Sequence, residues 1–190
     1  MDLDPLALEV HAFWFGSPPF TGRTEWFRKD DAFDAAIRER FGSAIAAASA
    51  GAYGDWCSAP RGALARILLL DQFARNAYRG TPRAFSGDAR ALATAEDAIA
   101  RGFDRELQPV ERQFMYLPFE HAEDRAAQER SLALFGALSA EPGCADLITW
   151  AERHADLIRR FGRYPHRNAV LGRVSTPEEI EYLKTPGAGF

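Results

Sequence analysis

Cysteine is scarce. The 190-residue chain has two, Cys57 and Cys144. Their spacing makes neither a C-x-x-C redox pair nor a zinc knuckle, so the expectation is two free thiols in a reducing compartment. Long hydrophobic runs are also missing. The aliphatic run Ile67 to Leu70 is far too short to span a bilayer. The opening M-D-L-D-P-L-A-L-E-V carries acid where a secretory leader would carry base. The expected location is therefore the cytoplasm, with no membrane partner. Positive charge is not in excess: 23 basic residues face 27 acidic ones, a net charge of -4. No global field draws nucleic acid, and no nucleic-acid partner is expected. No run alternates apolar and polar residues for long enough to make a strand. G-x-G-x-x-G, P-loop, G-x-S-x-G, H-E-x-x-H and E-x-x-H patterns are all absent, so neither a cofactor nor a metal is expected.

What is present is helical punctuation. Hydrophobic residues are 47% and charged residues 26% of the chain, which suits one domain over 1–190 with a real core. Asp4-Pro5 offers an N-cap with proline at the first position, and Gly16 a stop. Asp30 or Asp31 can cap a second helix, in which Phe33, Ile37 and Phe41 recur at spacing four. A long helix runs from Pro60 toward Gly80. Ser86 opens another, ending at Gly102. Pro109 begins one that should be interrupted near Pro118. Further helices are expected over 124–140 and 144–161. Thr176-Pro177-Glu178-Glu179 is a capping box for a last short one. The expectation is an all-α fold of seven to nine helices packed as antiparallel pairs, with a loose tail over 185–190.

Polar groups interrupt the apolar stripes of three of these helices. On the 60–80 helix, Leu64, Ile67 and Leu68 continue into Asp71, Arg75 and Tyr78, with Arg79 beside them. After Pro118, His121, Asp124, Arg125 and Gln128 share a face that becomes Leu132 and Phe135. The third stripe carries His154 and leads into R-R-F-G-R-Y-P-H-R-N-A-V-L-G-R, ending at Arg173. Burying an unpaired ion costs several kcal/mol, so such groups must meet one another, water or a ligand. The economical arrangement is one shared pocket lined by Asp71, Arg75, Arg79, His121, Asp124, Gln128, Arg163, His166, Arg167 and Asn168.

Four segments resemble one family in order along almost the whole chain: H-A-F-W-F-G, L-L-D-Q-F-A-R-N-A-Y-R-G-T-P-R-A-F, Y-L-P-F-E-H-A-E-D and R-F-G-R-Y-P-H-R-N-A-V-L-G-R. The chain is similar to the bacterial domain of unknown function numbered nine-two-four. Ala74 stands where proline is more usual, and Ala122 where serine is. The resemblance implies an all-helical, right-handed superhelix like tetratricopeptide repeats. It implies no activity.

Each polar candidate has a structural and a functional reading. Asp71 and Arg75, four apart, suit either a salt bridge or a ligand clamp. Gln72 and Asn76 suit either a neighbouring loop or a ligand amide. His121, beside Glu123 and Asp124, suits either a structural hydrogen bond or general acid–base work. His154 on an apolar face reads as a satisfied core histidine. Pro165 should hold Tyr164 extended, so that His166 or Asn168 caps a short helix, or Arg163, His166, Arg167 and Asn168 bind an anion. The leading functional expectation is binding of a small anionic metabolite, with hydrolytic or acid–base chemistry. Arg75, Arg79, Arg163 and Arg167 would hold the anion, and Gln72, Asn76, Gln128 and Asn168 would add hydrogen bonds. His121 or His166 would carry the proton, oriented by Asp124 or Asp71. The rival is a scaffold whose polar residues fix helix register while its concave surface takes a peptide.

Overall fold

The computed structural model describes residues 3–189. The acidic start and the tail expected to be loose fall partly on Met1, Asp2 and Phe190, which lie outside the described residues. Among the described residues the protein has eight α-helices and no strand. They are α1 (Pro5–Phe15), α2 (Asp31–Ser49), α3, α4 (Asp88–Ala100), α5 (Pro109–His121), α6 (Arg125–Leu138), α7 (Leu147–Phe161) and α8 (Pro177–Leu183). Helix α3 runs Pro60–Leu68, widens to π-type turns over Leu69–Phe73, and tightens again over Ala74–Ala77.

Local chemistry explains most boundaries. The Asp4 carboxylate accepts from the Leu6 amide at 2.8 Å with Pro5 behind it, and Gly16 ends α1 at φ +74°. Asp30, rather than Asp31, caps α2 by accepting from the Ala32 and Phe33 amides. Asp124 caps α6 through the Ala127 amide at 2.8 Å. The capping box at Thr176 and Glu179 forms as the sequence suggests. Three boundaries differ from expectation. Helix α4 starts at Asp88, because the Ser86 hydroxyl bonds back to the Arg83 carbonyl instead of capping forward. Helix α7 starts at Leu147, after a set of turns from Cys144. Helix α5 continues through Pro118 to His121, where an interruption was expected. The carbonyls just beyond the proline are gathered by one side chain: Gln128 Nε2 lies 3.2, 2.9 and 2.8 Å from the Phe119, Glu120 and Ala122 oxygens.

The chain groups into two compact units, Met1–Arg79 with Arg83–Pro118, and Gly80–Pro82 with Phe119–Phe190. The first unit is built around aromatic rings. Trp14 is fully buried, 5.4 Å from both Phe73 and Phe114 and stacked on Trp26 at 5.8 Å. Phe41 adds a tilted contact to Phe73 at 5.0 Å. Helix α3 is buried all round from Ile67 to Ala74, as a central helix must be. In the second unit α6 packs on α7. Leu157, Ile158 and Tyr164 form a core there that Phe161 and Tyr182 cover.

Candidate functional site

The sequence candidates in the first unit are held by Asp71 and by two carboxylates, Asp34 and Asp88, that the sequence did not single out. Asp71 and Arg75 form the expected pair at 2.9 Å, and the Arg75 guanidinium also takes Asp88 in a two-pronged contact at 2.9 and 3.1 Å. Gln72 donates to Asp71 at 2.6 Å. Asp34, on α2, is the second hub: it accepts from Asn76 at 2.7 Å and from two nitrogens of Arg79 at 2.8 and 3.1 Å. That fork raises the pKa of Arg79 further. A third cluster lies outside the sequence candidates. Glu111 is wholly buried, and accepts from His11 at 2.7 Å, Arg61 at 3.0 Å and the Gln108 amide at 2.9 Å. Burial alone would push its pKa up; these three donors outweigh burial and bring it below the usual carboxylate range.

In the second unit the basic segment divides its labour. Tyr164 is extended, as the following proline requires, and Pro165–Arg167 make one tight turn. Asn168 does not cap it: its amide nitrogen donates to Ser175 and Glu179, and its oxygen accepts from Arg173. Arg163 holds Glu179 through two contacts, at 2.6 and 2.7 Å. Arg173 does the same to Glu123 at 2.6 and 2.9 Å, while Glu123 also accepts from the Tyr164 amide. Asp124 spends a carboxylate oxygen on its cap, and Gln128 binds the end of α5.

The Glu179 network gives a pH prediction. The Arg163 hydrogen bonds, foremost, hold its carboxyl at about 2. A carboxylate whose pKa is lower folded than unfolded adds stability above its unfolded value, about 4.3. That contribution drains away as pH falls from there toward 2. The melting temperature of the wild type should therefore drop across this window. Glu179→Gln should start lower at neutral pH and show a shallower decline, followed by circular dichroism. Parallel curves would show that Glu179 does not carry the effect.

What remains is a compact set around Tyr164. Its phenol donates to the Glu120 carbonyl and accepts from Gln128 at 2.9 Å. The Arg167 guanidinium, in a residue only 6% exposed, lies 4.5 Å over the Tyr164 ring. The rings of His154 and His166 each lie 5.6 Å from that of Tyr164, and His121 lies 6.1 Å from His154. Gly189 packs against His166, and a Cβ added at Gly189 would lie 3.0 Å from the His166 Cβ. Burial, then the nearby charge of Arg167, pushes His166 down to about 4. Burial, then His121, pushes His154 down to about 3. Both are neutral imidazoles at pH 7, each with a lone pair on one ring nitrogen. Glu120, His121 and His154 each offer one ligand atom, all within 4.8 Å of one another. Sequence reading passed over Glu120 and took His154 for core. The local signal is the adjacent pair Glu120-His121.

No curated protein matches the chain. Among solved structures, a protein of unknown function from Agrobacterium tumefaciens is similar at 42% identity, covering 94% of this chain and 97% of that one, with a TM-score of 0.84. The family model described as bacterial protein of unknown function (DUF924) matches residues 10–187. On that match, with the four segments in order and an all-helical fold, the chain belongs to the DUF924 family.

Proposed function

We propose that this protein binds a small anionic molecule at the Tyr164 cluster, with Arg167 holding the anion and His166 or His121 moving a proton. The observation that carries the reading is the buried Arg167 guanidinium beside a histidine that stays neutral at pH 7. A desolvated guanidinium attracts an anion far more strongly than one in water, and a bound anion offsets the Arg167 charge that opposes protonation of His166. In this reading Asp71, Gln72, Arg75, Asn76 and Arg79 are positioning residues of the first unit, and Asp124, Gln128, Arg163 and Asn168 of the second. The chain acts in the cytoplasm, where its two cysteines stay reduced.

A second reading is a non-enzymatic helical scaffold. It is favoured by the forked pairs Arg79–Asp34, Arg75–Asp88 and Arg163–Glu179, which tie helices in register without a ligand.

A thermal-shift screen with phosphorylated and carboxylate metabolites separates the two. A ligand at a hundredfold excess over its Kd adds about 2.7 kcal/mol. At roughly 2–4 °C per kcal/mol for a chain of this size, the rise is about 5–10 °C. Arg167→Met keeps the packing and should abolish it. A flat response across the panel, or a rise that survives in Arg167→Met, would leave the scaffold reading standing.

A further inference from the structure

We infer that Glu120, His121 and His154 form a binding site for one divalent transition-metal ion of the zinc class. Two imidazoles and a carboxylate are a donor set that suits zinc, and three protein ligands leave a fourth position for water or a bound molecule. A tetrahedral ion with bonds of about 2.0–2.2 Å sets its ligand atoms roughly 3.4 Å apart. The three ligand atoms here lie within 4.8 Å of one another, so small side-chain rotations close the site.

The surroundings are built for such an ion. Nδ1 of His154 lies 2.9 Å from the Trp150 carbonyl, which can only accept. The same nitrogen lies 3.2 Å from Glu120 Oε1, so the His154 ring already faces the Glu120 carboxylate. The backbone of Glu120 is held by two further groups, Tyr164 and Gln128, at its carbonyl. His121 is the last residue of α5, a thirteen-residue helix, and the negative end of the helix dipole favours a cation there. Glu120 and His154 are 3% and 8% exposed, while His121 is half-buried, so the open coordination position would lie on the side of His121. Arg167, close by, opposes a second positive charge, and the Glu120 carboxylate offsets it. The inference does not depend on the anion reading, because the ion alone is the probe.

The test uses the full chain, free of any affinity tag and stripped with chelator. Titration with Zn²⁺ by calorimetry should give one saturable site per chain. Co²⁺ should give the visible absorption of a four- or five-coordinate ion. His121→Ala, at a half-buried helix end, should fold normally and weaken binding by more than about 100-fold, since losing an outer-shell partner alone costs about 10–100-fold. Glu120→Gln should do the same. His11→Asn, in the other unit, should bind as the wild type does. The inference is overturned if the wild type shows no saturable binding, if folded His121→Ala binds like wild type, or if only His11→Asn loses the ion.

Discussion

Gly62→Ala should destabilise the protein by about 3 kcal/mol or more, although helix propensity alone predicts a gain of about 1 kcal/mol. Gly62 lies inside α3, where alanine is the better helix former. A Cβ at this position would sit 2.1 Å from the Trp56 carbonyl oxygen and 3.1 Å from a Leu3 methyl. The first of these is backbone and cannot turn aside, so α3 and the Trp56 segment must move apart. At roughly 2–4 °C per kcal/mol, the melting temperature should fall by about 6–12 °C. Gly136→Ala supplies the opposite sign. It lies inside α6, where the nearest atom to a new Cβ is an Ile148 methyl at 3.9 Å. There the propensity gain should survive, at up to about 1 kcal/mol. Calorimetry of the two variants checks both, and a shift in the same direction for both would refute the steric account.

Glu111→Ala should cost about 3–5 kcal/mol, the range expected when one partner is removed from a buried ion pair. The loss leaves the buried His11 ring without its carboxylate at 2.7 Å, and the Gln108 amide at the start of α5 without its acceptor. Arg61 is half exposed and recovers much of its interaction from water. The Glu111→Gln variant keeps the shape and one accepting oxygen, and should lose less. A double-mutant cycle with His11→Ala isolates the pair. The double variant should lose less than the sum of the single ones, because each single change already breaks the contact. Strict additivity in chemical denaturation would show that His11 and Glu111 act separately.

Both predictions rest on contacts that have no local mark in the sequence. The helices were legible because their signals are short-range. Asp4-Pro5, Asp30, Asp124 and the Thr176–Glu179 box each act within three residues, and period-3.6 patterning told which faces were apolar. The same reasoning misplaced the start of α4, because Ser86 had two backbone partners open to it and tertiary packing decided between them. It expected a break at Pro118, and α5 instead runs one turn past the proline, where its last carbonyls meet Gln128.

The candidate site was legible as a concentration of polar groups and not as a set of pairs. Arg79, Arg163 and Arg173 were plain in the sequence, while their partners Asp34, Glu179 and Glu123 stand 45, 16 and 50 residues away. A charge on a helix face shows that it needs a counterpart, and does not say which carboxylate supplies it. By itself the sequence determined the all-helical class, most caps and the family, since each depends on neighbours along the chain. Only the tertiary structure decided that His11 meets Glu111 across a hundred residues, that Gly62 backs onto a carbonyl, and that Glu120 and His121 face His154. Those meetings are set by how helices pack, and packing joins residues whose separation along the chain leaves no periodic trace.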